Sequence, residues 1–294
     1  MFDIKSYLAR KSALINRELE KRLPAENIRP AILHRAMRYS VLAGGKRLRP
    51  ILCLAAAEAV GGKEKHALVP ALAIEILHTY TLIHDDLPCM DDDNLRRGKP
   101  TSHVVFGEAN AILAGDALLT LAFEWLVGTV PPKPYMPNHL ILELAGGAGN
   151  KGVIAGQVED LASERKKPNA VTVHYIHMHK TACLIIAAVR IGGICGGARK
   201  NELSALSNFG EKAGFAFQIA DDILNETSSR EKMGKAAGSD RSRGKMTYVA
   251  VHGLEKAKKM VRRLAEEAVK SLQSLKGNTE PLKMIVEYIV ARKK

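Results

Sequence analysis

The chain has 294 residues, 46% hydrophobic and 26% charged, enough to bury a substantial core. Its formal charge of +13 attracts anions and admits three partner classes: nucleic acid, an acidic membrane surface or polyphosphate substrates. With 5% aromatics and one tryptophan there is no stacking platform for single-stranded nucleic acid.

The first segment, 3–22, is charged throughout and does not read as a secretory signal. No unbroken apolar run reaches the roughly 20 residues of a membrane span, so none is expected. Cys53, Cys89, Cys183 and Cys195 lack metal or disulfide spacing, which suits a reduced, cytoplasmic setting. Apolar steps of three and four predict helices over 3–22, 29–42, 50–60, 70–86, 107–127, 138–147, 171–190, 202–225, 246–252 and 255–274. Gly-Gly pairs at 44–45 and 61–62, PPKPYMPN at 131–138 and Gly-rich stretches at 192–197 and 234–244 separate them. Alternating polarity is scarce and nothing reads as a linker. The expectation is an all-α bundle around a central cavity, a single domain spanning 1–294.

Two acidic clusters interrupt this pattern. In IHDDLPCMDDDNLRRGKP, Asp85, Asp86, Asp91, Asp92 and Asp93 crowd together, which is self-repelling without a counter-charge. Hard divalent cations such as magnesium take this kind of oxygen donor. Pro88 stops the helix and lets Asp85 and Asp91 approach one side, and Arg96-Arg97 beside them suits phosphate. Taken alone, such an acid run is more often a solvated loop. In GFAFQIADDILN, Gly214, Gln218, Asp221 and Asn225 share a helical stripe, while Phe215, Phe217, Ile219 and Ile223 cover the other faces. Carboxylates on a buried helix need compensation, and a metal between facing helices supplies it.

Positive groups should approach the same cavity. Candidates are Lys46, Arg47 and Arg49 in GGKRLRP, Lys180 beside Thr181, and Lys235 and Lys245 in the Gly-rich loop. His78 lies seven residues before Asp85, on its face of the helix. The basic residues of the last 45 positions are interleaved with acids and read as a solvated face.

Together GGKRLRP, HTYTLIHDDLPCMDDDNLRRGKPTSH, GQVEDL, HKT and FQIADDIL resemble the short-chain trans-prenyl diphosphate synthases over nearly the whole chain. The resemblance implies that Asp85 and Asp91, with Asp86 in support, hold two Mg2+ ions, and that Asp221 with Asp240 holds a third; Mn2+ can substitute. It implies an allylic diphosphate gripped by Arg96, Lys180, Lys235 and Lys245, with Thr181 and Gln218 facing the developing cation. It places isopentenyl diphosphate on Gly45, Lys46, Arg49, His78 and Arg97. It further implies a homodimer and a chain-length floor at Tyr80 and Thr81.

Asn225 stands where the family usually has a third Asp, and keeps an oxygen ligand without the charge. Tyr80 as a large plug, with the Pro88-Cys89 expansion of the motif, leans towards bacterial-type farnesyl diphosphate synthases; geranylgeranyl diphosphate is the alternative product. From other classes, a non-catalytic partner subunit and a basic nucleic-acid binder remain. The intact first Asp motif opposes the former, and carboxylates beside the basic clusters oppose the latter.

Overall fold

The computed structural model describes residues 2–227 and 244–291, so Lys235 and Asp240 lie outside the described residues. Helices α1 (Ile4–Arg22), α2 (Ala31–Val41), α3 (Leu48–Ala59) and α4 (Glu64–Asp85) lead to the first Asp cluster. A two-residue hairpin follows, β1 (Leu95–Arg96) with β2 (Lys99–Pro100), its antiparallel register pairing Arg96 with Lys99. Next come α5 (Ser102–Phe106), α6 (Glu108–Val127), α7 (Pro137–Ala148), α8 (Val153–Ser163) and α9 (Ala170–Ile176). A π turn (His177–Ala182) joins α9 to α10 (Cys183–Cys195), then α11 (Lys200–Thr227) carries the second cluster. The chain ends with α12 (Tyr248–His252), α13 (Leu254–Ser271) and α14 (Glu280–Ala291). The expected all-α architecture is what the chain adopts.

Helices α3, α4, α10 and α11 form the centre, with α4 packed on α3 and α6, and α10 on α3, α7 and α11. Helix α3 buries Ile51 through Ala57 without a break, so its apolar residues serve all faces rather than one. Close approach makes this possible: a Cβ at Gly192 of α10 would stand 2.0 Å from the Cys53 carbonyl of α3. Helix α13 is the opposite case, with Ala257, Val261, Leu264 and Ala268 buried and its lysines and arginines outside.

Three helices lie outside the expected ranges: α5, α8 and α14. Helix α8 buries Gly156, Gln157, Asp160 and Ser163 while Ile154 and Val158 stay exposed. Its polar side faces inward, the reverse of an ordinary surface helix. A second difference concerns membrane spans. Three helical stretches are long and apolar enough to cross a membrane by length and composition: α4, α6 and Ala170–Cys195. The first and last bury 72% and 67% of their most apolar window within the fold, whereas α6 buries 33%.

Candidate active site

Helix α4 ends at Asp85 and the chain folds back on it. The Asp91 N–H donates to the Asp85 carbonyl at 2.8 Å, and the Asp93 N–H to that of Asp86 at 3.2 Å. Asp85 and Asp91 therefore lie side by side, as the helix stop at Pro88 suggested. Burial, reinforced by Asp91 and opposed by Lys180, pushes the Asp85 carboxyl up to about 6. A buried carboxylate this reluctant to ionise suits a bound cation.

A cavity of about 520 Å³ opens beside Asp85. Gly45, Lys46, Arg49, His78 and Arg97 border it from one side, with Arg96, Lys180, Thr181, Gln218 and Asp221 around them. Residues from 45 to 221 thus converge on one space, as the sequence analysis expected. Gly45 has φ +119, and a Cβ there would strike the Arg97 guanidinium, which donates to the Gly44 carbonyl. The glycine pair thereby seats that arginine.

Arg47, the middle of the basic cluster, has its guanidinium committed to partners within the protein. It is 2% exposed and donates to Asn16 (2.9 Å), Glu75 (2.6 Å) and the Val41 carbonyl (2.6 Å). Its backbone is left-handed, φ 49, and it borders the cavity along with Lys46 and Arg49 while its guanidinium is held by these partners. Arg49 Nη1 lies 3.1 Å from His78 Nε2. Burial and the surrounding arginines hold His78 well below the usual imidazole range, so its neutral ring accepts that hydrogen bond.

Asp86, expected in support of the metal, is paired with Arg96. It is 3% exposed, does not border the large cavity, and receives Arg96 through Nε (2.8 and 2.7 Å) and Nη2 (2.5 Å). Burial alone would lower the Arg96 pKa; the bond to Asp86 and its charge raise it. Asp86 holds Arg96, and Arg96 faces the cavity.

The π turn presents Lys180 and Thr181. Lys180 Nζ donates to Asp160 at 2.5 Å, and Lys245 donates to Asp91 at 2.8 Å while standing 3.5 Å from Asp160. Asp160, in GQVEDL, holds Lys180 and lies close to Lys245, and residue-level reading missed it; its helix looked unhelical because its polar side is the buried one. Thr181 Oγ1 donates to Gln218 Oε1 at 2.7 Å. Asn225 borders an adjoining cavity of about 480 Å³ with Asp222 and Lys245, not the main one. Tyr80 is buried with its ring edge on His84, 5.4 Å between centroids, and stands one residue behind Thr81, which does border the cavity.

Among the described residues, no three acidic, imidazole or thiol side chains form a ready-made metal cluster. The donor set nevertheless fits divalent metal. Asp85 and Asp221 supply hard oxygens to the cavity, Asp91 stands beside Asp85 at its edge, and the volume leaves room for phosphate oxygens and water. Polar atoms point the same way: Arg49 Nε and both amide atoms of Gln157 are buried without a partner beside this cavity.

A helical bundle enclosing a cavity rimmed by carboxylates and anion-gripping cations defines a class that handles diphosphates on an apolar body. The chain belongs to the polyprenyl synthetase family, which matches residues 30–289. It is 48% identical to geranylgeranyl pyrophosphate synthase 4 of Arabidopsis thaliana, over 99% of this chain and 78% of the relative. Among solved structures, it resembles a geranylgeranyl pyrophosphate synthetase of Pyrococcus horikoshii (31% identity, TM-score 0.90, 98% of this chain and 99% of that one). It also resembles a Helicobacter pylori geranyltransferase complexed with magnesium and isoprenyl diphosphate (35% identity, TM-score 0.84, 99% and 97% covered). The protein is a prenyltransferase of isoprenoid biosynthesis that carries out trans-prenyl condensation.

Proposed function

We propose that the chain condenses isopentenyl diphosphate with allylic diphosphates to give geranylgeranyl diphosphate, using magnesium. The observation that carries it is the convergence of Asp85, Asp221 and their basic neighbours on one cavity. Relatives named geranylgeranyl synthases, at 45–48% identity, support the twenty-carbon product over the farnesyl product that Tyr80 suggested. Tyr80 keeps farnesyl diphosphate as the second reading.

Residues assign themselves to steps. Lys46, Arg49, His78 and Arg97 bind the diphosphate of isopentenyl diphosphate, and Arg96, Lys180 and Lys245 that of the allylic partner. Asp85 and Asp91 would hold two Mg2+ ions and Asp221 a third; when bound, these ions neutralise the leaving diphosphate. Heterolysis of the allylic C–O bond leaves its electron pair on that diphosphate. Thr181 and Gln218 offer oxygen to the resulting cation in a cavity that excludes water. The isopentenyl double bond attacks the cation, and a proton passes to the released diphosphate. No protein nucleophile takes part.

The pairs Lys180–Asp160 and Lys245–Asp91 describe the cations before an anion claims them. A homodimer fits the same reading, since α6 exposes Ile112 (40%), Leu113 (56%) and Val127 (61%). Light scattering on the purified protein tests it: twice the chain mass is expected, and a monomer removes the dimer. For the reaction, isopentenyl diphosphate is supplied with each allylic primer and Mg2+, and product length is read directly. Twenty-carbon product, abolished by chelator and restored by Mg2+ or Mn2+, is expected. Full turnover in excess chelator ends the metal reading, and release at fifteen carbons returns the farnesyl one.

A further inference from the structure

The second acidic cluster has two adjacent carboxylates, and they face different ways. Asp221 borders the main cavity; Asp222, 4% exposed, borders only the adjoining one. Three donors converge on Asp222: the Tyr248 N–H on Oδ2 at 2.7 Å, Gln218 Nε2 on Oδ1 at 3.1 Å, and His177 Nε2 3.2 Å from Oδ2. His177 comes from the π turn and is 2% exposed, its Nδ1 buried without a partner. A carboxylate only accepts, so it dictates both neighbours. The His177 proton sits on Nε2, and Gln218 must turn its NH2 towards Asp222.

Once the amide is fixed, the rest of the chain follows. Gln218 Oε1 then points at Thr181 and takes its only hydroxyl proton at 2.7 Å. Thr181 Oγ1 is left with lone pairs alone for the cavity it borders. Every dipole in the sequence Asp222–Gln218–Thr181 is aligned, oxygen end towards the substrate, and such chains reinforce one another in a low-dielectric interior. With the amide reversed, Thr181 would accept from Gln218 and aim its hydroxyl proton at the cavity, the wrong sign for a cation.

We propose that Asp222 and His177 are a positioning pair that orients and polarises Gln218 and Thr181 towards the allylic carbocation. The second carboxylate of this cluster therefore serves the reacting carbon instead of a metal. This rests on the prenyl-transfer reading above.

The test is Asp222→Asn, which keeps shape but lets an NH2 face Gln218 and so permits the amide to reverse. Turnover with geranyl diphosphate should fall at least tenfold, about 1.4 kcal/mol of barrier. KM for both substrates, the Mg2+ concentration for half-maximal rate and the melting temperature should stay unchanged. In a Thr181→Val background the same change should cost little more, because the chain is already cut. His177→Gln, which keeps a donor to Asp222, should retain most of the turnover that His177→Leu loses. Wild-type turnover in Asp222→Asn overturns the proposal, as does a raised Mg2+ requirement or full additivity with Thr181→Val. Absence of prenyl product from the unaltered enzyme instead overturns the underlying reading, and the proposal with it.

Discussion

Asp85 shows how a single side chain carries both a cost and a function. An acid with a folded pKa above its unfolded one holds its proton more tightly when folded. Stability is therefore lost as pH rises from about 4 through 6. Once charged, Asp85 costs the metal-free protein about 3 kcal/mol, at 1.36 kcal/mol per pKa unit. Asp85→Asn should accordingly resist denaturant better than the unaltered chain at pH 7.5 in chelator, and show no advantage at pH 4, while losing turnover by orders of magnitude. Denaturant titrations at both pH values check it. Tyr80 belongs to this scale too. Its Cα precedes that of Asp85 by about 7–8 Å along α4, at roughly 1.5 Å per residue. Tyr80→Ala opens space behind Thr81, where each further CH2 buried gains about 0.8 kcal/mol, so products longer than the wild type's are expected on chromatography. An unchanged product length at normal turnover moves the floor to Thr81. Residues of this kind were legible in sequence because Asp-rich and Gly-Gly-Lys-Arg patterns are costly unless they bind something. Asp86 and Arg47 were not, since one pairs with Arg96 and the other with Glu75, and partnerships across 10 and 28 positions leave no local trace.

At the level of elements, helix periodicity located most of the bundle; it missed the short α5, the C-terminal α14, and α8, whose inside is polar. Helix α8 was missed because Gln157 and Asp160 face the interior and Ile154 and Val158 face outward, so an apolar-stripe criterion inverts it. The π turn at His177–Ala182 was equally invisible, since its residues are ordinary helix formers and only the packing forces the extra residue per turn. Gly156 links these two elements. A Cβ on it would lie 2.1 Å from the Lys180 backbone nitrogen, so α8 and the π turn touch main chain to main chain. Gly156→Val is expected to cost about 1–3 kcal/mol through overpacking and to displace Lys180. A lower melting temperature with a raised KM for the allylic diphosphate is the expected signature. An unaltered KM would mean that the turn moves as a unit and keeps its lysine aimed.

Across the molecule, helical periodicity carried the all-α architecture and motifs spread over nearly the whole chain carried the family, whereas the exposed apolar length of α6 did not stand out. Its residues look like core until the structure leaves them outside. The site itself is assembled from distant parts of the chain, and the Lys245–Asp91 bridge joins positions 154 apart. Closing so long a loop has an entropic cost that must be met before the contact returns anything, and pairings of this separation form late in folding. The catalytic wall is thus a product of the finished fold, not a nucleus for it. A diphosphate that binds there selects the fully closed chain and slows global unfolding along with local opening. Amide exchange should accordingly be retarded by substrate in both α4 and α13, although α13 contributes no residue to the cavity.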